Sequence, residues 1–411
     1  MNTPREELPE VYAEVLEDPG REALLGARDV IAIAPDDDPD DVQRLADLGA
    51  ERVTLERRGL HHGAWAELDL DDSGERLLPR PSQLRQRWRR AEPWVWRQAV
   101  LDDLRTDRNL IHAGLSAYET LIDPAGLEPF LRARLGGRGA RFDVLASRES
   151  LADPDRDLAC VGIRDSQSGI ADLWSKTGRL STHPEDGSIR MRFSFGDEGS
   201  DDASADTARH RAVTALTEAV LPEARLADRR GELLRTVSEW HGEPLFATQG
   251  IAYWNTPEGG ARFHHDAFAD DDSEGQRGVL FLQLAGRTAW LALGTAALAR
   301  RVAEFCAGLE ADDPSRDLEG LDLEDPLSLR SELALPGCGR LAALVDEDPR
   351  FTAFLADCGH AAILAPGDAI VLPNQGLTST SMHSVFCASS KPTYALSFAL
   401  RKLEGRGRRR R

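Results

Sequence analysis

Residues 278–293 read GVLFLQLAGRTAWLAL, two apolar runs with a Gly-Arg pair near the middle. Each run has strand length and meets a turn signal, so the stretch predicts a strand, a tight turn and a second strand. The same texture recurs on both sides. PLFATQGIAYWN (244–255), AAILAPGDAIVLPNQ (361–375) and PTYALSFALR (392–401) are apolar or alternating runs split by Gly, Pro and polar turns. From residue 245 onward the chain therefore predicts a β-structure. Between about 294 and 360 the pattern changes. AALARRVAEFCAGL (296–309) is helical, an acidic loop-like stretch follows, and PRFTAFLADCG (349–359) is helical again. This segment reads as an insertion between two halves of one β-structure.

The first 240 residues are mixed. DVIAIAP (29–35) predicts a strand, and PDDVQRLADLGAERVTL (39–55) a capped helix followed by a strand. PSQLRQRWRRAEPWVWRQAVLDDLR (81–105) predicts helix with a proline break, and it carries Trp88, Trp94 and Trp96 as packing residues. SIRMRFSFG (188–196) alternates, with Ile189, Met191, Phe193 and Phe195 on its apolar side. GDEGSDDASAD (196–206) holds five acids, but not at the spacing of a twelve-residue calcium loop, so it reads as a solvated loop. Helices are expected near 206–221 and 228–240. The resulting division is a mixed α/β region over 1–150, a strand and helix region over 151–240, a β-domain over 241–403 with its insertion, and a basic tail over 404–411.

A length of 411 residues suits two domains, or one large domain with an insertion. Hydrophobic residues make up 41% of the chain, enough for a sizeable core. The net charge of −20 argues against non-specific binding to nucleic acid or an anionic membrane. The tail GRGRRRR (405–411) is the exception, read as a solvated terminus with contact to nucleic acid or ribosomes as the alternative. No membrane span or secretory signal is visible. Five cysteines without a CxxC pair read as free thiols, so the expected compartment is the cytoplasm. Lysine is rare, occurring only at Lys176, Lys391 and Lys402. No nucleophile elbow, P-loop or dinucleotide fingerprint is present.

The stretch with chemistry in it is GGARFHHDAF (259–268). Taken as a strand, it points His264 and Asp266 to one face and His265 to the other, because residues two apart share a face. His383, in a comparable β-rich setting after LAPGDAIVLP, supplies a third candidate. Two imidazoles and one carboxylate on one face of a metal form the facial triad of non-haem Fe(II) oxygenases. An HxD pair is common by chance, and hydrogen-bonded histidines at a strand end are the competing reading.

Four pieces in order resemble the cupin-type, JmjC-like Fe(II)/2-oxoglutarate oxygenases, particularly the bacterial ribosomal-oxygenase and asparagine-hydroxylase branch. They are IAYWNTPEGGARFHHDAF (251–268), GVLFLQLAGRTAWLAL, LAPGDAIVLP (364–373) and MHSVFCASSKPTYALSFALR (382–401). The resemblance spans residues 245–401 and does not extend to 1–240. It implies an α+β chain whose catalytic domain is a double-stranded β-helix, of jelly-roll or cupin type. It also implies His264, Asp266 and His383 as iron ligands, with His265 a packing neighbour. Fe(II) and O2 would be used with 2-oxoglutarate, whose oxidative decarboxylation drives hydroxylation of an unactivated C–H.

Two departures from the family stand out. The stretch NQGLTSTSM (374–382) lengthens the path from Pro373 to His383. The family's cation for the distal carboxylate of 2-oxoglutarate falls on Thr288, with Arg287 beside it; Lys391 and then Arg401 are the alternative anchors. Asn255, Tyr253 and Gln283 are candidates to face the cavity. The implied substrate is a residue in a protein or peptide, or a small amino-acid-like metabolite. The acidic surface favours a basic partner by steering, and residues 1–240 are free to recognise that partner or form a homodimer. The alternatives are a non-catalytic cupin-like binding module and a metal cupin enzyme that does not use 2-oxoglutarate.

Overall fold

The computed structural model describes residues 66–68 and, with short gaps, 81–402. The larger gaps are 146–156, 197–205, 267–275 and 334–339. The elements expected over 29–55 and the basic tail lie outside the described residues.

Eight strands account for the second half: β7 (Leu245–Trp254), β8 (Gly260–His264), β9 (Gln276–Ala285), β10 (Thr288–Gly294), β11 (Ala361–Leu364), β12 (Ala369–Pro373), β13 (Ser381–Cys387) and β14 (Tyr394–Lys402). They divide between two sheets. β12, β9, β14 and β7 lie side by side in one, and β11, β10, β13 and β8 in the other, with every pairing antiparallel.

The first sheet continues at both edges. On one side are β2 (Trp94–Trp96) and β1 (Ala66–Leu68). On the other are β6 (Ile189–Phe195), β5 (Leu173–Arg179), β4 (Asp157–Arg164) and β3 (Arg141–Leu145). The sheet therefore has ten strands and runs without a break across residue 240. The segment Trp94–Trp96, expected within an interrupted helix, is strand β2, paired between β1 and β12. Pro93 cannot continue the preceding helix α1 (Pro81–Arg89), and two tryptophans flanking a valine suit a pleated surface.

Three apolar interfaces separate four layers. On the outer face of the ten-stranded sheet, Met191, Phe193, Phe195, Trp254, Leu282 and Phe398 meet helical residues such as Val213, Leu216 and Trp240. The helices there include α2 (His112–Leu121), α3 (Thr207–Val220) and α4 (Glu232–His241). Asp206 caps α3 by accepting from the amides of Ala208 and Arg209, an arrangement worth about 1 kcal/mol. Between the sheets, Val279, Phe281, Trp290, Ile370, Leu372 and Val385 interdigitate. Beyond the smaller sheet, Leu291, Leu293, Met382 and Phe386 pack on the insertion helices α5 (Thr295–Gly308), α6 (Pro326–Leu333) and α7 (Pro349–Asp357). Strand β10 is apolar throughout for this reason. Trp290 and Ala292 face the other sheet, Ala289, Leu291 and Leu293 face the helices, and neither face meets water. Among the described residues no helix is long and apolar enough to cross a membrane.

A buried ion pair ties the N-terminal segment to the turn before β12. The Asp368 carboxylate accepts from Arg97 Nη1 at 2.8 Å, from the Gln98 amide at 2.8 Å and from the Ala365 amide at 3.0 Å. Gly367 takes φ +91°, and a Cβ there would lie 2.7 Å from Leu101 Cβ, so glycine is required.

Candidate metal centre

Strand pairing assembles the centre. In the β8–β13 ladder His383 stands opposite His264, and their ring centroids are 4.2 Å apart. The strand ends at His264, short of the alternation that RFHHDAF implies, and Asp266 lies two residues past its end. From there its carboxylate still meets both rings: Oδ1 is 4.0 Å from His264 Nε2, and Oδ2 is 3.7 Å from His383 Nε2. The three residues offer ligand atoms that all lie within 4.8 Å of one another.

The protonation of each ring follows from its second nitrogen. His264 Nδ1 lies 2.7 Å from the Arg262 carbonyl, and His383 Nδ1 lies 3.3 Å from the Ser381 carbonyl. A carbonyl only accepts, so Nδ1 donates and Nε2 keeps its lone pair toward Asp266. Such a partner commonly fixes the tautomer of a metal-binding histidine. Burial, with His264 beside it, pushes the His383 imidazole down to about 3, so it is uncharged at neutral pH. For Asp266, burial opposes ionisation, but His383, His264, His265 and Arg190 outweigh it and hold the carboxyl below its ordinary range. Two imidazoles and a carboxylate fit a divalent cation of the Fe(II) type.

The surroundings hold these groups in place. The indole of Trp290 stacks on His383 with centroids 5.7 Å apart, and Phe281 meets that indole edge-on at 4.7 Å. Trp290 Nε1 donates to Thr288 Oγ1 (2.9 Å), and Thr288 donates to Gln283 Oε1 (2.7 Å). Gln283 Nε2 in turn donates to the Ala285 carbonyl (2.7 Å). From the insertion, Asp346 Oδ1 accepts from the Phe263 amide at 2.9 Å and tethers β8 from its other side.

A cavity of about 250 Å³ opens beside the centre. Asp266, His265, Tyr253, Ser397, Gln249, Arg190 and Arg192 contribute to its wall. Tyr253 thus faces the cavity, as does His265, for which the sequence suggested only packing. Gln283 and Thr288 are spent on the chain from Trp290, with both side chains fully buried. Asn255 is buried at the end of β7, where its carbonyl accepts from the Thr393 amide. Arg287 and Lys391 lie in the β9–β10 and β13–β14 connections, where the Arg287 amide donates to Ser389 Oγ and the Lys391 carbonyl accepts from Cys387 Sγ. Arg401, 1% exposed, donates through Nη2 to Gln249 Oε1 at 2.7 Å.

The sequence reading missed Arg190 and Arg192. They occupy the polar side of the alternating strand 188–196, a side that faces water in an isolated strand. The missing signal was the pairing of β6 with β7, in which Arg190 stands opposite Tyr253 and Arg192 opposite Ile251.

No known family profile matches the chain, and no curated protein matches it. Similar solved structures include an oxidoreductase of the 2OG-Fe(II) oxygenase family from Burkholderia pseudomallei, at 8% identity over 83% of this chain and 97% of that one, with a TM-score of 0.29. Two others are of the ribosomal oxygenase YcfD from Escherichia coli, both at 12% identity. One covers 83% of this chain and 54% of that one with a TM-score of 0.25, and the other 65% and 40% with a TM-score of 0.21. This chain spans about half the length of those YcfD chains. At such scores the likeness does not establish a shared fold, and the geometry of the centre stands by itself.

Proposed function

We propose that this protein is an Fe(II)- and 2-oxoglutarate-dependent dioxygenase that hydroxylates an unactivated C–H of an amino-acid unit, in a protein or peptide or in a free metabolite. The observation that carries the reading is the convergence of His264, Asp266 and His383, with Asp266 also in the wall of a cavity lined by β6, β7, β9 and β14. In this reading β7 to β14 are the eight strands of a double-stranded β-helix, because they alternate between two antiparallel sheets, except that the consecutive β10 and β11 pair within the smaller one.

His264 and His383 would hold the ion through Nε2 and Asp266 through a carboxylate oxygen. When bound, the iron would supply O2 activation coupled to decarboxylation of the 2-oxo acid. The chain's own tasks are separate. The Arg262 and Ser381 carbonyls keep the imidazole lone pairs directed inward. Trp290 and Phe281 cover His383 and exclude water from that side. The cavity admits the organic reactants from the side of Asp266.

Anaerobic titration with Fe(II) and then 2-oxoglutarate tests this. A weak visible charge-transfer band should require both additions. It should vanish in His264→Ala, Asp266→Ala and His383→Ala, and metal binding should persist in His265→Ala. Metal binding without the band would remove 2-oxoglutarate from the reading, and absence of metal binding would remove the enzyme.

A further inference from the structure

An acidic protein of net charge −20 places two arginines, Arg190 and Arg192, in the wall of one cavity beside a metal-type triad, the Arg192 guanidinium lying 5.1 Å over the Trp174 ring. Arg190 and Arg192 are two residues apart on β6 and so share the face of the sheet that lines this space. A guanidinium pairs with a carboxylate through two parallel hydrogen bonds, which gives orientation as well as attraction.

The rest of the wall suits the same ligand. Tyr253 Oη and Ser397 Oγ lie 3.5 Å apart on it. Gln249 reaches it by an irregularity in β7. Its φ is +50°, and the β7–β14 register slips between Ser397 and Ala399. A non-glycine residue in the left-handed region costs roughly 1 kcal/mol or more, and such bulges re-aim side chains at functional sites. Arg401 then holds that side chain from behind.

The positions that the family resemblance suggested lie elsewhere. Thr288 stands opposite Cys387, four residues along β13 from His383 and therefore about 13 Å away along the strand. Its hydroxyl is engaged by Gln283 and Trp290. Arg287 and Lys391 belong to the connections at that same end of the sheets.

Resting on the proposed activity, we infer that the distal carboxylate of the 2-oxo dicarboxylate is anchored by Arg190 and Arg192 of β6, a strand outside the eight that carry the metal-binding residues. The N-terminal half of the chain thereby contributes directly to the co-substrate site, and Arg401 is a positioning residue acting through Gln249.

The test is equilibrium binding, without turnover. Full-length protein loaded anaerobically with Mn(II) is titrated calorimetrically with 2-oxoglutarate and with 2-oxopentanoate, which has the same chain length and no distal carboxylate. Wild type should prefer 2-oxoglutarate. In Arg190→Gln and Arg192→Gln the affinity for 2-oxoglutarate should fall, by roughly 30-fold or more in the double variant, with 2-oxopentanoate and Mn(II) binding unchanged. Arg190→Lys should retain part of the preference, and Lys391→Gln all of it. Retained preference in the double variant, or its loss in Lys391→Gln, would overturn the anchor and leave the proposed activity standing. Equal wild-type affinity for the two acids would also overturn the anchor. Wild-type protein that binds Mn(II) but neither acid would overturn the activity itself.

Discussion

At the scale of single residues, a buried acid far from the metal residues makes stability depend on pH. Glu223 is fully buried between α2 and β14, where Oε1 accepts from the Gly114 amide (3.0 Å) and from Tyr394 Oη (2.7 Å). Burial raises its carboxyl to about 7, against the hydrogen bonds that lower it. The folded state therefore binds the Glu223 proton more tightly than the unfolded state, for which the ordinary value is 4.5. This contribution to stability is complete below about pH 4.5 and is lost as pH rises through about 7, by about 3 kcal/mol in all. Glu223→Gln keeps an oxygen for both donors and removes the charge. It should abolish this slope and stabilise the protein at pH 8 by about 2 kcal/mol, measured by urea unfolding at pH 5.5 and pH 8. Equal slopes in the two proteins would show that Glu223 is ionised in the fold.

At the scale of elements, the β8–β13 ladder sets the distance between His264 and His383. Gly260 sits in that ladder opposite Phe386, and a Cβ there would lie 2.1 Å from the Val385 carbonyl oxygen and 2.5 Å from Phe386 Cα. Both are backbone atoms, so the strands themselves must separate. Gly260→Ala should cost about 2 kcal/mol or more and weaken Fe(II) binding at least about tenfold, although it alters no ligand. Gly308→Ala, where a Cβ meets nothing within 4 Å, should leave both quantities unchanged in the same thermal and titration measurements.

The elements also show what the sequence made legible. The strands β7, β9 to β12 and β14 were readable because their side-chain pattern is local, whereas β13 was not read as a strand. The apolar side of β6 was readable for the same reason, and Ile189, Met191, Phe193 and Phe195 all lie in the core. Trp94–Trp96 was not, because its strand state depends on pairing with β12, more than 270 residues away. Asp266 meets the two imidazoles by a different route than alternation, through the segment after β8. Arg190 and Arg192 stayed hidden because their role depends on which strand β6 pairs with, and a single strand's pattern does not specify its neighbour.

At the scale of the molecule, the large sheet joins regions that the sequence divides. Its outer face carries Trp254, Leu282, Leu396 and Phe398 under helices from residues 81–241. A fragment beginning at residue 241 would expose that whole apolar face, so it should be aggregated rather than an independent metal-binding domain. Gel filtration and far-ultraviolet circular dichroism of the fragment check this, and a monomeric, folded fragment that binds Fe(II) would refute it. The interleaving of strands has one more effect. β14 lies between β7 and β9, and β13 lies between β8 and β10. During synthesis each sheet therefore waits, with a gap at its centre, for a strand made more than a hundred residues after the first of its neighbours. Such non-local closure is slow, and the unpaired edges are prone to associate until it is complete. The nascent chain thus passes through a long window in which β8 to β10 exist without their partners and β7 has only β6, and chaperone demand should peak there.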